Sequence, residues 1–224
     1  NARNPDEVRI AVDKIIEYET TIPAGNWRNV ITLVADDELK SFTNYEGSLH
    51  TKQSEDLDKI IPASYTRNKI YTTTYPTVIT GSGRRKPEAN QAIINVINNG
   101  TLIINFIGHG SPSLWTDERV FVQSITIPQL VNDRYFFLTA ATCDFGYYDI
   151  PDMVSSTEEL LLKPKSGAIG AFTSARPVFS ANNAALNNEF FGRLLNSDRD
   201  TLNLLKPVGI AHFLAKTRYT DANA

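Results

Sequence analysis

Four short, nearly unbroken apolar runs punctuate the chain, at residues 29–35, 102–107, 135–141 and 168–172. Their length and their content of β-branched and aromatic residues predict strands buried on both faces. Between them, apolar residues recur at helical spacing. Residues 6–20 place Val8, Val12, Ile15 and Ile16 on one face, with Pro5 at the first turn where its missing N–H does no harm. Further helices are expected over 51–61, 86–99 (apolar face Ala92, Ile93, Val96 and Ile97), 157–162, 183–196 and 208–217, with a short one over 127–132. Residues 68–73 read as a short strand, 39–48 as a polar loop and 80–86 as a flexible turn. Apolar strands alternating with amphipathic helices predict an α/β fold: a mainly parallel sheet with helices on both faces. In such sheets the working site lies beyond the carboxyl ends of the strands. Asp36 and Asp37, His109, and Cys143 each stand just past a predicted strand, so three reactive groups are expected on one rim.

Composition narrows the chemistry. The 224 residues are 42% apolar, enough to build a core, and the net charge of −3 leaves no basic excess for a nucleic-acid backbone. No run approaches the roughly 18 apolar residues of a membrane-spanning helix. There is one cysteine, which excludes an internal disulfide and a thiolate zinc cluster, so Cys143 is either a buried hydrophobe or a working thiol. A working thiol needs a base, and His109, 34 residues upstream, is the natural partner. Gly108 and Gly110 allow a sharp turn and close approach to a ligand, and the N–H groups of Gly110 and Cys143 are candidates for an oxyanion hole. The rival reading is an inert core cysteine and a histidine that merely occupies a turn. The Gly81-Ser82-Gly83-Arg84-Arg85-Lys86 stretch is not a phosphate loop, since no strand leads directly into it and no Lys-Ser/Thr follows; it reads as a solvated turn. His212, on an apolar helical face, reads as core.

Two ordered stretches resemble a known family. Asn105-Phe106-Ile107-Gly108-His109-Gly110-Ser111, followed by Trp115, is similar to the histidine motif of the gingipain-type (C25) cysteine peptidases, and Thr139-Ala140-Ala141-Thr142-Cys143-Asp144-Phe145 to their cysteine motif. The resemblance is collinear over nearly the whole chain. It is closest to the PorU branch, the sortase-like peptidases of the type IX secretion system, through Leu33-Val34-Ala35-Asp36-Asp37-Glu38, Ser156-Thr157-Glu158-Glu159-Leu160 and the stretch 181–188. It implies a caspase-like α/β fold with Cys143 as nucleophile and His109 as general base and acid. It also implies an acid that orients the histidine, Asp37 or alternatively Asp36, although a solvated loop or a cation site is an equal reading of those acids. Arginine-specific members carry an acidic pocket residue where this sequence reads Ser48-Leu49-His50-Thr51, so arginine specificity is not expected. His50 is then a pocket residue or an exposed loop histidine, and Trp115 a pocket wall or core. Arg176 binds a substrate carboxylate or pairs with the acids near Asp36.

By resemblance the chain is expected to be a single catalytic core, 1–224, cut from a larger multidomain protein on the surface or outer membrane of a Gram-negative bacterium. Its substrates would be proteins carrying C-terminal sorting domains, removed and passed to water or to a surface glycolipid, with outer-membrane secretion components as partners. The alternatives are a general secreted protease of gingipain type, a catalytically silent scaffold, or a caspase-like binding module with Cys143 buried. No cofactor is called for; a structural calcium ion is allowed but does not follow from the residues.

Overall fold

The computed structural model describes residues 2–37, 47–195 and 206–222. In chain order the elements are α1 (Pro5–Thr20), β1 (Val30–Ala35), α2 (Leu49–Ile60), β2 (Thr66–Tyr71), β3 (Val78–Thr80), β4 (Gly83–Arg85), α3 (Pro87–Asn99), β5 (Ile103–Ile107), β6 (Gly110–Ser111), β7 (Leu114–Trp115), β8 (Phe121–Val122), α4 (Gln123–Thr126), β9 (Phe136–Ala141), α5 (Ser156–Leu162), β10 (Ala168–Thr173), α6 (Ser180–Leu195) and α7 (Val208–Ala222). Glu38, most of the expected 39–48 loop and Asn196 lie outside the described residues. Among the described residues no helix is long and apolar enough to cross a membrane.

The central sheet has the order β10-β9-β5-β1-β2, and every neighbouring pair is parallel. The chain builds outward from β1 to β2, then returns to lay β5, β9 and β10 on the other side. The switch point, where α/β sheets commonly bind ligands, therefore falls between β1 and β5. Strand pleating sorts β5 between two cores. Ile104 and Phe106 join Ile93 and Ile97 of α3 and Leu160 of α5, whereas Ile103 and Ile107 join Leu57 of α2, Phe190 and Phe191 of α6 and Ala211 of α7. Asn105, fully buried between them, donates from Nδ2 to Thr139 Oγ1 (2.7 Å) and Asn187 Oδ1 (3.2 Å), so a polar rung locks β5 to β9 and α6.

Three expectations need correction. Residues 80–86 are not an open turn: β3 and β4 pair as an antiparallel hairpin, and Lys86 at its end is buried. The expected helix over 127–132 is instead α4 running into a 3-10 turn at Ile127–Gln129. The first helix forms as expected but faces the other way. Val8, Val12, Ile15 and Ile16 are 46–55% exposed, while Lys14 points inward and donates to the carbonyls of Leu160 (3.2 Å), Leu161 (3.1 Å) and Ser166 (2.7 Å). Those carbonyls close the end of α5 and the loop beyond it, so the ammonium serves as their cap. Replacing Lys14 by Met strands buried acceptors, and the expected loss of about 2–4 kcal/mol should appear as a lower midpoint in urea denaturation. An unchanged midpoint would show that α1 docks without this lysine.

Candidate active site

The sheet register lines up the candidate residues before any side chain is considered. Ala35, Ile107 and Ala141 form one row across β1, β5 and β9. Counting onward from that row, Asp36, Gly108 and Thr142 come first, then Asp37, His109 and Cys143. Ladder-like bonds continue past the strands, with Asp36 N–H donating to Ile107 O (3.0 Å) and Gly108 N–H to Ala141 O (3.4 Å).

Both glycines of the Gly-His-Gly turn are demanded by space. A Cβ on Gly108 would lie 2.3 Å from Asp36 Cβ, and one on Gly110 would lie 2.5 Å from Thr142 Oγ1. The turn is thus wedged between the end of β1 and the end of β9. Its fit lets Asp36 Oδ2 accept the backbone N–H of His109 at 2.9 Å, while Asp36 Oδ1 accepts the N–H of Asp37 at 2.8 Å. After His109 the chain enters the β6–β7 hairpin, where Thr116 N–H donates to His109 O (3.0 Å). That bond makes Gly110 and Trp115 a non-hydrogen-bonded pair, so the Gly110 N–H is not used by this ladder.

Cys143 is half-buried in the bend after β9. Its sulfur lies against Val178, accepting from Val178 N–H (3.4 Å) and facing Val178 O (3.7 Å). The bend is braced on both sides: Asp144 N–H reaches Arg176 O (3.5 Å), Gly146 N–H reaches Ser174 O (2.9 Å), and Thr157 Oγ1 donates to Phe145 O (2.9 Å). Asp144 holds a left-handed φ of 57°, a strained conformation for a non-glycine residue that these contacts hold in place.

The acids behind the histidine form a dry cluster. Asp36, Asp37 and Glu118 are all buried, and one carboxylate oxygen from each lies within 4.8 Å of the others. Lys86 Nζ stands 3.1 Å from Asp37 Oδ2 and also donates to Thr72 O (2.7 Å), and Arg84 Nε stands 3.5 Å from Glu118. Burial pushes the Asp36 carboxyl up to about 8, with Asp37 and Glu118 adding to the rise and the His109 and Asp37 N–H groups opposing it. Burial likewise raises Glu118, with Asp37 next in effect. Two built-in cations thus face three acids.

The other candidates sort plainly. Asp37 faces Lys86, and Asp36, the alternate, is the acid bonded to the histidine turn. His50 is not an exposed loop residue: it lies in the first turn of α2, 4% exposed, with its ring 5.3 Å from that of His109 at 90°. Trp115 is not a pocket wall. It is 1% exposed, stacked on Phe106 (4.4 Å) and packed against Phe121 and Phe145, because the β6–β7 hairpin folds it under the sheet end. Arg176 does not reach Asp36; it pairs with Asp149 (2.7 Å between Nη1 and Oδ1) and lies over the Tyr147 ring. His212 is part-buried, edge-on to Phe172 at 4.8 Å. Sequence reasoning missed Lys86, Glu118 and Val178. Lys86 was hidden among basic turn residues, Glu118 in a charged loop stretch, and Val178 acts through its backbone, which leaves no side-chain signal.

Two substitutions test this geometry. Gly108→Ala forces Asp36 and the histidine turn apart, and a loss of about 1–3 kcal/mol is expected in chemical denaturation. Wild-type stability would show that the turn is loose. Lys86→Met leaves Asp37 as an uncompensated buried charge, with an expected loss of about 3–5 kcal/mol by the same measurement. A loss below about 1 kcal/mol would show that the pair is solvated.

A sequence profile of the family described as "Peptidase family C25" matches residues 1–224. Three solved structures share the fold. The Arg-specific cysteine proteinase gingipain R (RgpB) superposes with a TM-score of 0.76 over 99% of this chain, at 18% identity. A complex of the Porphyromonas gingivalis RgpB pro- and mature domains gives 0.73 over 98%, and a third structure, described only as a protease, gives 0.67 over 99%, each at 18% identity. This chain spans about half, 49%, of each of those chains. At that identity the likenesses establish the fold, a gingipain-type parallel sheet flanked by helices. No curated protein matches by sequence.

Proposed function

The chain belongs to peptidase family C25, and from that premise we propose that it is a cysteine endopeptidase with Cys143 as nucleophile and His109 as general base and acid. The observation that carries the reading is the register: the only cysteine of the sequence and the Gly-His-Gly turn leave adjacent parallel strands two residues beyond the same paired row, Ile107 with Ala141. His109 takes up the Cys143 thiol proton, and the resulting thiolate attacks a peptide carbonyl. The tetrahedral oxyanion is met by the N–H groups of Gly110 and Cys143. His109 then returns the proton to the leaving amine, an acyl-enzyme remains, and water or a second amine resolves it. Asp36 acts as a positioning residue by fixing the backbone of His109.

The finer reading follows the PorU-like stretches. The substrates are proteins with C-terminal sorting domains, the setting is the outer surface of a Gram-negative cell among secretion components, and the second nucleophile is water or a glycolipid amine. One similar structure is described as Arg-specific; the stretch Ser48-Leu49-His50-Thr51 offers no acid to select arginine, so arginine specificity is not carried over. One observation favours a second reading, the silent scaffold: the Cys143 sulfur rests on Val178 and must leave that contact to attack.

A peptidyl acyloxymethyl ketone separates the two. The expected result is labelling of Cys143 at least about 100-fold faster than a free thiol, since general-base assistance is worth roughly 10²–10⁴, with His109→Ala abolishing the excess. Labelling at the free-thiol rate, unchanged in His109→Ala, would sink the peptidase and leave the scaffold.

A further inference from the structure

The two histidines of the rim face each other with a carboxylate beside them. One donor atom each from Asp36, His50 and His109 lies within 4.8 Å of the others. The rings of His50 and His109 stand edge to face, 5.3 Å apart. We propose that these three side chains form a reversible inhibitory site for a late first-row divalent cation, with Zn²⁺ as its natural occupant.

The donor set selects the metal. Two imidazoles and one carboxylate suit zinc and its neighbours, whereas calcium and magnesium favour all-oxygen shells. The neighbouring Asp36-Asp37-Glu118 cluster is the poorer cation site, because Lys86 and Arg84 already bring their charges to 3.1 and 3.5 Å of its carboxylates. The support around the histidines is of the kind metal ligands use. His50 Nδ1 lies 3.3 Å from Gln53 Oε1, so donation there puts the ring's lone pair on Nε2. Gln53 is itself tied to Ser180 at the start of α6, with Nε2 donating to Oγ at 3.1 Å. Asp36 holds the His109 backbone at 2.9 Å, and each of its oxygens keeps a further lone pair for a metal. Donors at about 2.0–2.1 Å from a tetrahedral zinc sit roughly 3.3 Å apart, so the three, within 4.8 Å of one another, need draw together by at most about 1.5 Å. His109 is only part-buried, so the site is not sealed from solvent, and water would serve as the fourth ligand.

A metal on His109 removes the lone pair that accepts the thiol proton, so occupancy inhibits. That consequence rests on the dyad proposed above; metal binding by the three side chains does not. A thiolate–imidazole pair would bind zinc on its own, so the experiment has to separate the two sites.

Co²⁺ is titrated into the full chain and followed by its ligand-field absorption, with Zn²⁺ displacing it. In Cys143→Ser the affinity should stay within about threefold of wild type. In His50→Gln it should fall by at least about 100-fold, beyond the roughly 10–100-fold range of second-shell losses. His50→Asp, which restores a ligand, should regain most of it. Thermal melts of each variant identify any that misfold, in which case Gln53→Leu, expected to weaken binding about tenfold, carries the test. Loss of binding in Cys143→Ser, or wild-type binding in His50→Gln, would overturn the site and put the metal on the dyad. In peptide cleavage, the half-inhibitory Zn²⁺ concentration should rise in step with the Co²⁺ affinity loss in His50→Gln. Cobalt binding that behaves as stated in a chain without peptidase activity would uphold the metal site and reject the dyad.

Discussion

The rim of this sheet depends on one hydrogen bond, from the backbone N–H of His109 to the buried carboxylate of Asp36. It exists because β1 and β5 are neighbours and because Gly108 has no Cβ to hold them apart. Everything around it is fitted to that contact. The dry cluster that holds Asp36 also buries Asp37 and Glu118, and the buried charge is answered by Lys86 and Arg84, drawn in from the β3–β4 hairpin. A group of buried acids and bases is a poor route to stability compared with apolar packing. Its value here is geometric: it fixes where the histidine turn leaves the sheet.

The cysteine side is built differently. No charge reaches it directly among the contacts described; instead the bend after β9 is braced against the segment after β10 through main-chain bonds, with Asp144 held at positive φ. Phe145 and Trp115 pack together beneath, so the loops that follow β5 and β9 share one aromatic floor. The thiol thereby sits above that floor while its sulfur leans on Val178.

Much of this was legible in the chain. Four of the five strands of the central sheet were announced by apolar runs that suit doubly buried strands, and the parallel-sheet rule then put Asp36, His109 and Cys143 on one rim. What was not legible is instructive. The apolar stripe of α1 obeys helical spacing, yet Lys14 is the residue that points inward, because three carbonyls at the end of α5 need a donor that no apolar side chain supplies. Lys86 reads as one more basic residue of an exposed turn, but the hairpin delivers it to Asp37. Hydropathy left two readings open for both Trp115 and His50; a two-residue strand turns Trp115 into the core and a helix start buries His50 beside His109. Arg176 finds Asp149, a partner 27 residues away in a loop without periodicity.

The claim that binds these observations is that Cys143 forms an acyl bond with a peptide under the control of His109. Rapid-quench mass spectrometry on a good peptide ester tests it most directly. The account predicts an acyl adduct on the peptide containing Cys143, formed within a turnover, and lost in both Cys143→Ala and His109→Ala. Cleavage that survives Cys143→Ala, or turnover with no adduct on Cys143 at any quench time, would contradict it.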